Sequence, residues 1–294
     1  VAENIYDRVT NSIIASLEGG VGSWKRPWTV KAGATSPLPY NITSGANYRG
    51  INTVMLWCAR EQHDWPTMGF ATYEQWKSKG AQVRKGETAT HIVFFKPTEQ
   101  TTRNDAGDEE SRKGLIARGY CVFNQAQVEG YEPKPVEPMA PVERNAVADD
   151  FFKSTGADIR HGGTRAFYVP SMDYISMPDI DAFGEPVRYY STLAHETVHW
   201  TGAERRCDRS LKGRFGDESY AMEEMVAEIG AAFVCGILNL DSDVREDHAQ
   251  YVASWIKVLK NDNRAVFTAS SQAQKAVDYL TSLQVVEDER LAAD

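Results

Sequence analysis

Residues 189–200, YYSTLAHETVHW, constrain this chain more than any other stretch. They contain H-E-x-x-H, and His195 and His199 share a face only if the segment is helical, because residues four apart lie one turn apart on an α-helix. Gly202 follows as a candidate helix stop. Two neutral imidazoles one turn apart can converge on a single divalent ion, with zinc as the first choice. Glu196 then lies beside the open coordination position as a general base for water. The alternative is a chance pair of histidines on an amphipathic helix. The motif is specific enough to favour the metal reading, which requires a third ligand.

Residues 220–231, YAMEEMVAEIGA, offer one. On a helix, Met225, Val226, Ile229, Ala232 and Phe233 form an apolar face, and Glu224 and Glu228 sit four apart on the neighbouring stripe. The pattern E-x-x-A-E resembles the ligand-plus-orienter arrangement of gluzincins. There one glutamate binds the metal, and a carboxylate four residues later fixes the tautomer of a histidine ligand. Glu224 is therefore assigned to the metal and Glu228 to the orienting role; spacing alone leaves the reverse open. Glu223 is expected to point away into solvent. A bland alternative is an acidic helix carrying glutamates for solubility, which the otherwise apolar surroundings disfavour. Tyr220, His248 and Tyr251 are candidates for stabilising a developing oxyanion. His248 also suits a helix start, and Tyr251 could simply pack on Trp255.

The chain has 294 residues, long enough for two domains each with its own core. The formal charge of −9 is uneven: residues 1–130 sum to +2 and residues 131–294 to −11. Between them, residues 131–144, YEPKPVEPMAPVER, carry four prolines and read as an extended linker. This gives a small α+β domain at 1–130, a Pro-rich linker at 131–144, and a mainly helical domain at 145–294. Helices are expected at 5–17, 51–60 (with Asn52 as a possible cap), 70–79 and 147–154. Strands are expected at 81–83, 91–96, 115–124, 166–169 and 174–177, and a charged loop at 103–114. No apolar run approaches the roughly 18 residues of a spanning helix, and no signal-peptide pattern is present, so a cytoplasmic protein without membrane association is expected. Cys58, Cys121, Cys207 and Cys235 lack the spacing of a disulfide framework or a zinc-thiolate site and read as free thiols.

Single-strand binders pair cations that follow phosphates with aromatic faces on which bases stack. Trp24, Lys25, Arg26 and Trp28 interleave both, Tyr48 and Arg49 repeat the theme, and Lys77, Lys79, Arg84 and Lys85 add a basic cluster. The counter-reading makes the tryptophans core and the lysines ordinary surface, and a net charge of +2 gives DNA affinity only if the cations share a face.

The run IYDRVTNSIIASLEGGVGSWKRPW at 5–28, NYRGIN at 47–52, QVRKGE at 82–87 and RGYCVFNQAQ at 118–127 resembles the N-terminal domain of ArdC-type antirestriction proteins, a domain that also occurs in some plasmid primases. LAHETVHWTGAERR at 193–206 and EEMVAEIGAAF at 223–233 resemble the zincin-like metallopeptidase domain that follows it in that family. The resemblance spans nearly the whole chain. It implies a plasmid-encoded, single-stranded-DNA-binding protein that protects DNA entering a recipient in conjugation from restriction. It also implies a gluzincin-type metal site of His195, His199 and Glu224 with Glu196 as catalytic residue, holding Zn2+ or, alternatively, Mn2+ or another first-row ion. Two other functions remain open. One is a metalloprotease that cleaves a host protein, with the DNA domain as a targeting module. The other is a DNA-protecting binder whose metal site is structural or vestigial.

Overall fold

The structure, a computed structural model, describes residues 4–19, 37–103, 109–132, 141–209, 217–240 and 249–284. Helix α1 (Ile5–Gly19) buries Val9, Ile13, Ile14 and Leu17, the residues whose spacing predicts it. After β1 (Tyr40–Asn41) comes α2 (Ile51–Gln62). Its flanking residue is Gly50, and the Asn52 side chain does not cap it. Instead Asn52 Oδ1 accepts from Val93 N–H at 2.8 Å, and its Nδ2 donates to Val93 O at 2.8 Å, satisfying the open edge of a strand. Strand β2 (Gly69–Ala71) takes up Phe70 and Ala71, which were expected to open a helix. That helix, α3 (Tyr73–Ser78), begins later because Thr72 and Gln75 form a reciprocal capping box.

Strand β3 (Gln82–Val83) pairs with β6 (Val128–Glu129). Between them run β4 (Thr90–Arg103) and β5 (Glu109–Asn124), an antiparallel hairpin paired continuously from Thr90↔Val122 to Arg103↔Glu109. Of the charged loop expected at 103–114, Arg103 and residues 109–114 are paired strand, and residues 104–108 lie outside the described residues; the polar ends form a ladder because both backbones find partners. The main sheet has the order β1-β2-β5-β4.

The second half opens on α4 (Pro141–Ser154), which starts inside the stretch expected as linker. Pro141 occupies the first helical position, where its missing N–H costs no intrahelical bond. A three-stranded sheet follows, β7 (Asp158–His161), β8 (Phe167–Val169) and β9 (Tyr174–Met177), in the order β7-β9-β8. Then come α5 (Pro186–Thr201), α6 (Glu218–Ile237), α7 (Ala249–Asn261) and α8 (Ala265–Ser282). The molecule is α+β, with strands in both halves and a helical layer dominating the second.

The halves pack against each other: the largest buried cluster runs from Val9 and Ile13 through Trp57 to Phe233, Val266 and Leu280. Trp57 and Phe233 rings lie 5.6 Å apart, and a Cβ built on Gly236 would come within 2.7 Å of Leu38. Polar ties add to this: Thr10 Oγ1 donates to Asn263 O at 2.7 Å, and Gly50 N–H donates to Gln274 Oε1 at 3.0 Å. Two smaller buried clusters, one around Trp76 and one of Leu56, Phe70 and Val122, belong to the first half alone. All four cysteines are free thiols, with Cys58 and Cys235 buried. No described helix is long and apolar enough to cross a membrane.

Candidate metal centre

Helix α5 starts with Pro186 at its first turn and is buried on nearly every side from Tyr189 to Thr201, the mark of a central helix. It ends at Gly202, whose N–H donates to His199 O at 2.8 Å; its φ of −70° lies in the right-handed region, so the stop does not depend on a left-handed glycine. Helix α6 crosses against it at Gly230. A Cβ there would lie 2.8 Å from Val198 Cγ2 and 2.9 Å from Cγ1, too close for any real side chain. Val198 is the residue between the two histidines' turns, so the absence of a side chain at Gly230 lets the glutamates of α6 reach the imidazoles of α5.

His195 Nε2 and His199 Nε2 face each other at 3.1 Å. Glu224 Oε2 lies 3.5 Å from the first and Oε1 3.6 Å from the second. One donor atom from each of the three residues falls within 4.8 Å of the others. Two ligands at about 2.0–2.1 Å from a tetrahedral ion would be about 3.3 Å apart, so this donor set fits a first-row divalent cation without rearrangement. It combines two imidazoles and one carboxylate, leaving a position for a reactant.

Outside the three donors, each imidazole is held from behind. His195 Nδ1 lies 2.8 Å from Glu228 Oε1, with both side chains buried. His199 Nδ1 lies 3.1 Å from Glu223 Oε1. Glu223 is therefore not in solvent. The Arg209 guanidinium clamps it with Nε to Oε2 at 3.0 Å and Nη2 to Oε1 at 2.9 Å. Arg209 also donates to Val198 O at 2.6 Å and Thr201 Oγ1 at 2.8 Å, tying the end of α5 to the start of α6. Neither Glu223 as orienter nor Arg209 was legible from spacing. The only sequence signal was a second carboxylate beside Glu224, and a loop arginine carries no periodicity.

Burial by itself would depress the His199 imidazole, but contact with Glu223 and Glu224 outweighs it and raises it to about 10. Burial would raise Glu224, yet the two histidines hold its carboxyl well below the usual range. Glu223, also pushed upward by burial, is brought below its ordinary value by His199 and Arg209. The electrostatics that favour a proton on His199 equally favour a divalent cation among these carboxylates.

Glu196 is buried on α5 beside the first histidine, with 4% of its surface exposed. Tyr220 is half-buried in the first turn of α6, one turn before Glu224 on the same stripe. His248 and the side chain of Tyr251 lie outside the described residues. The corner between β8 and β9 is pinned to the end of α5: Asp173 pairs with Arg205 and Arg206, Tyr168 donates to Asp173 at 2.7 Å, and Arg206 stacks over Trp200 at 3.9 Å.

The residues expected to meet DNA fall in different settings. Trp24, Lys25, Arg26 and Trp28 lie outside the described residues. Tyr48 is half-buried against Phe70 and accepts from Asn41 Nδ2 at 3.2 Å. Arg49 is engaged by Asp278 at 2.6 and 2.7 Å, and Arg84 by Glu87 at 2.6 Å and Ala126 O at 2.7 Å. Lys77, Lys79 and Lys85 are exposed. Arg84 and Lys85 border an open groove of about 650 Å³ that Tyr73, Gln82 and Phe123 also line.

Residues 3–134 match the family model of the N-terminal domain of anti-restriction factor ArdC, and residues 146–272 match that of a zincin-like metallopeptidase. The uncharacterized protein y4eC of Sinorhizobium fredii (strain NBRC 101917 / NGR234) is 44% identical over 285 residues, covering 96% of this chain and 92% of that protein. A DNA primase TraC of Escherichia coli is 36% identical over 299 residues, where 95% of this chain corresponds to 20% of the primase. The crystal structure of metal-free antirestriction protein ArdC from plasmid R388 is 40% identical, with a TM-score of 0.77 over 96% of this chain and 98% of that one. The Mn(II)-bound structure of the same protein is 39% identical, with a TM-score of 0.75, covering 97% of this chain and 100% of the other.

Proposed function

The chain belongs to the ArdC antirestriction family, and from that membership we propose that it binds single-stranded DNA through its first half and shields incoming plasmid DNA from restriction during conjugation. The observation that carries this reading is the likeness to ArdC over nearly the full length of both chains, with both family domains in the same order. Domain limits of 1–130 and 145–294 are part of the same proposal.

In the second half, His195, His199 and Glu224 would hold the metal, with Glu228 and Glu223 orienting the two imidazoles. A bound divalent ion supplies Lewis-acid polarisation of a substrate carbonyl and acidifies water. With such an ion bound, Glu196 would accept the proton of the attacking water, and Tyr220 would be placed to donate to a developing oxyanion. Zinc is the first choice for two imidazoles and a carboxylate; manganese, present in the Mn(II)-bound ArdC structure, is the alternative.

The second reading, a metallopeptidase acting on a host protein, draws support from Glu196. A purely structural site needs ligands but no general base beside them. Restriction protection by wild type beside Glu196→Ala separates the two. Protection retained in the variant supports shielding by DNA binding. Protection lost, with metal content and DNA affinity intact, supports proteolysis. A wild type that gives no protection contradicts both.

A further inference from the structure

The β4–β5 hairpin presents two different faces. Val93, Phe95 and Ala117 point into the main core. The opposite face follows the register Ile92↔Tyr120, Phe94↔Arg118 and Lys96↔Ile116. A solvated antiparallel face ordinarily alternates to polar side chains. Here Phe94 is 57% exposed, Ile116 50% and Tyr120 44%. The Phe94 and Tyr120 rings meet edge to face, with centroids 6.4 Å apart.

Cations flank these rings. Lys96 and Arg118 are both exposed, and neither makes an ion pair among the described residues. Residues 90–96 and 116–122 contain no Asp or Glu, in a chain that carries 41 of them. Toward the base of the hairpin the same face is covered, since Val122 packs with Leu56 and Phe70, and Ile92 with Trp65 and Tyr48 lie against them. The exposed rings therefore stand on a sheet whose other face is core.

Exposed aromatic rings on a strand face, bordered by cations unpaired among the described residues and with no acid in either strand segment, match what an unpaired nucleic-acid strand needs: bases stack on the rings and phosphates meet the cations. Duplex DNA, with its bases already stacked, could use only the cations. We infer that Phe94, Tyr120, Arg118 and Lys96 form the single-stranded-DNA contact surface of this protein. The inference rests on the single-strand reading above and centres its site on the hairpin face rather than on Arg49 and Arg84, which are engaged by Asp278 and Glu87.

The test is fluorescence anisotropy of a labelled oligothymidine, about twenty nucleotides long, with the full chain at low salt. Phe94→Ala and Tyr120→Ala should each weaken binding by about tenfold, and Phe94→Tyr should stay within about twofold of wild type. Arg118→Ala should lower the slope of log affinity against log salt by about one. Melting temperatures should hold, because the altered side chains are exposed. As a check independent of any variant, photo-crosslinking of a bromodeoxyuridine-substituted strand to wild type should map to the peptides holding Phe94 and Tyr120. Wild type binding with the alanine variants unchanged and crosslinks elsewhere overturns the inference and leaves the single-strand reading standing. Wild type without binding overturns both. Loss of self-association in the variants, with DNA affinity unchanged, makes the face a contact between copies and overturns it too.

Discussion

Between α5 and α6, two histidines and four glutamates are packed within the interior, while along β4 and β5 two aromatic rings and two cations stand in water. The two regions reverse the usual placement of side chains in opposite directions. Buried carboxylates and imidazoles are costly unless each finds a partner, and here every imidazole nitrogen faces a carboxylate or the other ring. The interior site must therefore be assembled with tight geometry and reacts strongly to a single lost partner. Exposed rings cost the fold little, so the hairpin face can change without unfolding the chain, and its effects should be visible only with a partner present.

The largest expected contrast is chemical. Glu196→Ala should retain metal and fold while lowering any hydrolytic turnover by about 10²–10⁴-fold, the usual contribution of a general base. An assay against a casein or peptide library checks this; undiminished turnover would remove Glu196 from the mechanism. Next is Arg209→Ala, which leaves the buried Glu223 carboxylate without its clamp. It should cost about 3 kcal/mol, read as a lowered midpoint in urea, and weaken metal binding by loosening His199. Equal midpoints would mean the clamp is dispensable.

Gly230→Ala should follow at about 1–3 kcal/mol, because its methyl group would force α6 away from Val198. A calorimetric melt measures this, with metal affinity expected to fall alongside. The smallest effect belongs to the surface. Arg49→Ala breaks an exposed pair with Asp278 and should change stability by less than about 1 kcal/mol, with single-stranded DNA affinity near wild type. A strong loss of DNA affinity in that variant would return the contact surface to the Tyr48–Arg49 region.

The same contrast explains what could be read in advance. His195, His199, Glu224 and Glu228 were legible because helical spacing places them, and α5 and α6 bring together donors that the period alone had already set on facing stripes. The hairpin face was hidden because it depends on which residue of β5 stands opposite which of β4. Lys96 and Ile116 are neighbours only through that register. Composition also misled. The charged stretch at 103–114 reads as a loop, yet its ends are paired strand. Asn52 reads as a helix cap, yet it closes a strand edge. Glu223 reads as solvated because the helical wheel separates it from Glu224, and only the loop arginine at position 209 makes its burial tenable.

The family likeness and the donor geometry meet in one claim, that this chain holds a single divalent ion between α5 and α6. Elemental analysis of the purified full chain, wild type beside His199→Ala, addresses it directly. About one zinc or manganese per wild-type chain, retained in Glu196→Ala and absent in His199→Ala, is the expected result. Wild type with no bound metal, even after incubation with zinc or manganese and removal of excess, would contradict it.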